Sequence, residues 1–127
     1  MAEFEQHIGK YRHNDNFVRF GISSARGPYN DWEVTARFYA SIHLIEAVLC
    51  KELSLHSPNH AAWDSNMSDH PDLFPRECAK NYASLKALAR KARYETGDIS
   101  AAEALKAQSC LDELTSHYER YIQTVPV

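Results

Sequence analysis

The chain has 127 residues, 44% of them hydrophobic and 24% charged, with a formal net charge of −3. At about 100–200 residues per domain this is one domain, which excludes a multi-domain enzyme, and the composition excludes a disordered chain. A core of this size needs neither disulfides nor a structural metal, and with only four Gly and five Pro to interrupt it the chain is expected to form long helices.

The first segment sets Phe4, Ile8, Tyr11, Asp15, Val18 and Ile22 at alternating steps of four and three, an amphipathic helix with one polar exception that should end near Gly21. The linker SSARGPYN then collects turn-forming residues. Asn30 followed by Glu33 predicts an N-cap for a helix running from Asp31 to about Leu53. That segment carries two apolar stripes almost opposite each other: Val34, Phe38, Ile42, Ile45 and Leu49 on one, Trp32, Ala36, Tyr39, His43 and Ala47 on the other. Two stripes require two packing surfaces, the rest of a bundle and a partner subunit.

His56-Ser-Pro-Asn-His60 breaks the pattern, with Ser57 as candidate N-cap and Pro58 at the first helical position of a short helix through Met67. Pro71 and Pro75 then predict a loop. A basic helix follows from near Pro75 to near Gly97. The last helix opens at Ser100 with Glu103 three residues on, a capping box, and Ile99 ahead of it as a hydrophobic staple. Ala104, Ala107, Leu111, Leu114, Tyr118 and Tyr121 step down one face of that helix. With no convincing strand, the expected fold is all-α, an up-and-down four- to five-helix bundle.

Charge is uneven. Residues 76–94 hold six Lys/Arg against one acid, while both flanks are acidic. Cys50, Cys78 and Cys110 are odd in number and far apart, which predicts inert buried thiols in a reducing compartment and no disulfide framework. No CxxC pair, signal-peptide pattern or apolar run of about 18 residues occurs, so a cytoplasmic protein with no membrane partner, no metal and no cofactor is expected.

Four features in order resemble the HEPN domains (higher eukaryotes and prokaryotes nucleotide-binding). They are Tyr29-Asn-Asp-Trp32, Ala36-Arg-Phe-Tyr-Ala-Ser-Ile-His43 with the following LIEAVL, His56-Ser-Pro-Asn-His60, and Arg90-Lys-Ala-Arg-Tyr94. The pattern is similar to small bacterial and archaeal members with a Tyr-Tyr-Ala-x-x-His second helix, over roughly residues 5–122. The resemblance implies a helical homodimer associated with defence systems or toxin–antitoxin pairs, with a nucleotidyltransferase or antitoxin as partner and RNA or a nucleotide as ligand. Many members are metal-independent ribonucleases with Arg-x4-6-His in a late helix. Neither Arg90 nor Arg93 has a His within six residues, so a non-catalytic or weakly catalytic component is expected, with a protein-interaction module that has no nucleic-acid role as the rival reading.

Arg37 and His43 do form Arg-x5-His, on the second helix, but about 120° apart on its wheel. One reading joins them across a symmetric dimer, His43 as general acid and base and Arg37 stabilising phosphorane charge. The other makes His43 a core or interface histidine bonded to a neighbour. His56 and His60 stand at i, i+4 around Pro58 with no third ligand in sequence reach, which favours capping and turn packing over metal binding. Arg76, Lys86, Arg90 and Arg93, with Tyr94 or Tyr82 for stacking, read either as a phosphate-contacting strip or as partners of Glu103 and Asp112 on the last helix.

Overall fold

A computed structural model of the chain describes residues 2–22, 29–57, 59–94 and 98–126. All regular structure among the described residues is helical: α1 (Ala2–Asn16), continued by π-helical turns (Phe17–Ile22), then α2 (Asn30–Leu53), α3 (His60–Asp69), α4 (Arg76–Tyr94), α5 (Ala101–His117) and α6 (Glu119–Gln123). No helix among them is long and apolar enough to cross a membrane.

The centre is α2, packed against α1, α4 and α5. Fourteen of its 24 residues are buried, as expected of a helix apolar nearly all round. The stripe Val34, Phe38, Ile42, Ile45, Leu49 is wholly inside, with Phe38 beside Tyr82 of α4, and α1 adds the buried Phe4, Ile8 and Tyr11 to the same core. The second stripe divides. Ala36 and Ala47 are buried and His43 half-buried, whereas Trp32 is 59% and Tyr39 36% exposed.

Neighbouring helices run in alternating directions. Lys51 at the end of α2 lies over the Phe4 ring at the start of α1. Arg93 at the end of α4 donates to the Tyr39 hydroxyl in the first half of α2. Lys91 near the end of α4 meets Glu103 in the first turn of α5. This is the up-and-down bundle expected, with one more segment. The last helix does not run unbroken to Tyr121; it turns at Tyr118, whose hydroxyl donates to the Leu73 carbonyl at 2.7 Å, and α6 then carries Tyr121 back into the core.

Two predicted caps are corrected. Asn30 lies inside the first turn of α2, and Tyr29 holds the boundary without a side-chain cap, because the Asn30 amide is drawn to the Ile99 carbonyl at 3.2 Å. Ser57 does not cap α3 either. Its N–H donates to Glu46 and its hydroxyl accepts from Asn66, and Asn59, in extended geometry, accepts the Ala62 N–H instead. Pro58 lies outside the described residues, as does the expected end of α4 at Gly97. The Ser100–Glu103 capping box forms as predicted, with Ile99 buried ahead of it.

At the other end of α2, Ser54 takes the left-handed conformation (φ 54°), and its N–H and that of Leu55 close on the carbonyls of Cys50 and Leu49. That turn aims the chain back toward α1. Gly21 has a close-approach role: a Cβ there would stand 2.9 Å from the Phe17 ring. Arg12 on α1 donates to three carbonyls at the chain's far end, those of Ile122, Val125 and Pro126. Cys50, Cys78 and Cys110 are buried free thiols, each pushed upward in pKa first by burial.

Candidate functional site

A groove of about 730 Å³ lies between α3 and the exposed side of α4. Its floor is apolar, formed by Met67, Phe74, Ala79 and Tyr82, and its rim carries Arg76, Lys86 and Arg90. Helical spacing explains the rim: ten and fourteen residues after Arg76 the helix returns to within about 80° and 40° of the same direction. Asp64 of α3 faces them. It accepts from the Lys86 ammonium at 2.5 Å and from the Tyr82 hydroxyl at 3.3 Å, and burial followed by this carboxylate pushes the Tyr82 phenol well above its usual range. Arg76 and Arg90 are exposed and make no ion pair among the described residues.

Two other basic residues of α4, Lys91 and Arg93, serve the bundle. The Arg93 guanidinium lies 5.5 Å from the ring centroids of both Phe38 and Tyr39 and bonds the Tyr39 hydroxyl at 2.7 Å. The pairing anticipated at Glu103 is made by Lys91 at 2.8 Å, which with the Ser100 N–H holds that carboxyl down to about 2. The structure therefore gathers Arg76, Lys86 and Arg90 and sends Arg93 elsewhere. The Tyr94 side chain lies outside the described residues.

Arg37 and His43 have separate partners within the chain. Arg37 is 5% exposed, its terminal nitrogen 3.4 Å from Glu33 one turn back, while its buried Nε has no partner among the described residues. His43 turns to α1, where its Nδ1 lies 3.0 Å from Nδ1 of His7. Burial, reinforced by His7 and Lys10, pushes His43 down to about 4; burial also lowers His7 against the pull of Glu46 and Glu3.

That contact belongs to a cluster not anticipated from the sequence. The Ser54 turn brings His56 over α1, where its Nδ1 lies 3.0 Å from Glu3 Oε1 and 3.6 Å from Oε2 of the buried Glu46. The rings of His7 and His56 stack at 6.1 Å. Donor atoms of Glu3, His7 and His56 all fall within 4.8 Å of one another. The one local signal was the i, i+4 pair Glu3 and His7 on α1. The pairing of His56 with His60 falls outside the described residues, since the His60 side chain is not among them.

No family model, curated protein or solved structure matches this chain.

Proposed function

We propose that the chain is a HEPN-like helical module that binds the phosphates of RNA in the α3–α4 groove. It acts as a non-catalytic, dimeric component of a defence or toxin–antitoxin pair, with a nucleotidyltransferase or antitoxin as its protein partner. The observation that carries the binding reading is the placement of Arg76 and Arg90 on one rim, exposed and without an ion pair among the described residues, above an apolar floor that contains Tyr82. At 1.5 Å per residue the two arginines stand about 21 Å apart along α4. That separation suits several successive phosphates of a single strand better than one mononucleotide. Tyr82 and Phe74 below supply apolar surface against which bases rest.

Support for a non-catalytic role is the division of Arg37 from His43: the first is buried against Glu33, the second bonded to His7. The dimer reading rests on Trp32 and Tyr39, exposed in the first half of α2. Fluorescence anisotropy with a short single-stranded RNA tests the groove. Binding is expected at 50 mM salt, weakening with a logarithmic slope of about −1.4 to −2 for two or three neutralised phosphates. Absence of binding at low salt refutes it. The RNA should be recovered intact; cleavage that disappears in His43→Ala would establish the ribonuclease reading instead.

A further inference from the structure

We propose that Glu3, His7 and His56, with Glu46 beneath them, form a site for one divalent transition-metal ion of the zinc class. The site is independent of the groove and of any nucleic-acid role. Its donors come from three places in the chain, the first turns of α1, the middle of α2 and the turn leading to α3, and nothing in local secondary structure requires them to meet.

Four observations converge on an ion. First, zinc bonds of about 2.0–2.1 Å in a tetrahedral arrangement hold donors about 3.3 Å apart. The His56 nitrogen stands 3.0 Å from Glu3 and 3.6 Å from Glu46, on either side of that value, and the third ligand, His7, is within 4.8 Å of both Glu3 and His56. Second, Glu46 has a side chain only 3% exposed, yet among the described residues its Oε1 has no hydrogen-bond donor and its Oε2 accepts one backbone N–H, from Ser57. A carboxylate buried with so few donors is costly, and a cation beside it removes that cost.

Third, the two Nδ1 atoms of His7 and His43 meet at 3.0 Å, which requires one N–H and one bare nitrogen. Of the two tautomers that satisfy this contact, the one in which His7 donates to His43 puts the His7 proton on Nδ1 and leaves its Nε2 lone pair for a ligand, the arrangement in which an acceptor orients a metal-binding histidine. Fourth, two carboxylates balance the charge of a divalent ion, and two imidazoles beside them select zinc, nickel or cobalt over magnesium and calcium. Glu3 and His56 are 49% and 60% exposed, so an ion reaches the site from solvent.

The test uses the untagged full-length chain. Calorimetric titration with zinc chloride is expected to give one ion per chain at a micromolar Kd or tighter, undisturbed by millimolar magnesium. Glu3→Gln and His56→Ala, both at exposed positions, should each weaken it at least tenfold, whereas His117→Ala on α5 should not. In thermal melts, zinc at about 100 times its Kd should raise the wild-type Tm and leave His56→Ala unmoved, as expected for an ion bound only by the folded state. No saturable binding at 100-micromolar zinc, or unchanged affinity in both Glu3→Gln and His56→Ala, overturns the proposal.

Discussion

The α3–α4 groove and the histidine cluster are both concave regions of one small bundle, but they are supported differently. The cluster is floored by Glu46 of α2, the helix with fourteen buried residues, and takes Glu3 and His7 from α1 beside its buried Phe4 and Ile8. The groove has α4 for one wall and α3 for the other, and among the described side chains of α3 only Met67 is buried. A wall held by so little apolar contact opens at a low free-energy cost, while the floor of the cluster moves only when the bundle unfolds. Rigid donor placement therefore belongs on α2, and accommodation of a long, flexible ligand belongs beside α3.

The largest effect should separate the two supports. Leu49→Ala, at a fully buried position of α2, is expected to cost about 3–5 kcal/mol, whereas Met67→Ala should cost about 2 kcal/mol. Urea denaturation measures both, and hydrogen exchange of Met67→Ala should show faster exchange confined to α3. Equal losses with uniform exchange would remove the distinction. Next in size, Arg76→Ala with Arg90→Ala should weaken RNA binding about tenfold at 50 mM salt and flatten the salt slope by about 1.4, while leaving zinc binding untouched.

A smaller change runs in the opposite direction. Asp64→Asn releases Lys86 from its half-exposed ion pair, and RNA should then bind about two- to fivefold tighter by anisotropy. A loss of affinity would mean that Asp64 orders the groove rather than neutralising it. The smallest effect concerns the part of α4 that serves the bundle. The Glu103 carboxyl is held below its ordinary value, so its stabilisation is fully present above about 4.5 and is lost as pH falls toward about 2. Glu103→Gln keeps the capping box but should flatten this acid limb in pH-dependent melts and leave RNA affinity unchanged.

The architecture was largely legible because helical period and capping are local. The stripe Phe4, Ile8, Tyr11 and the Ser100–Glu103 box depend on residues three or four apart, and both form as read. Long-range partners changed the rest. Asn30 and Ser57 have the chemistry of caps, but Ile99 and Glu46 occupy them with other bonds. Arg93 and Arg90 lie close together on the helical wheel, and only the position of Tyr39 on α2 draws one of them away. The histidine cluster was least legible, because His7 and His43 are 36 residues apart and no pattern on either helix points to the other.

Arg12, in the later part of α1, ties that helix to α6 and the residues after it. Its guanidinium takes up carbonyls that a short terminal helix would otherwise leave to solvent, across separations of 110–114 residues. Replacing Arg12 would loosen α6 and the residues after it first, while the buried Phe4, Ile8 and Tyr11 keep α1, and with it Glu3 and His7, in place.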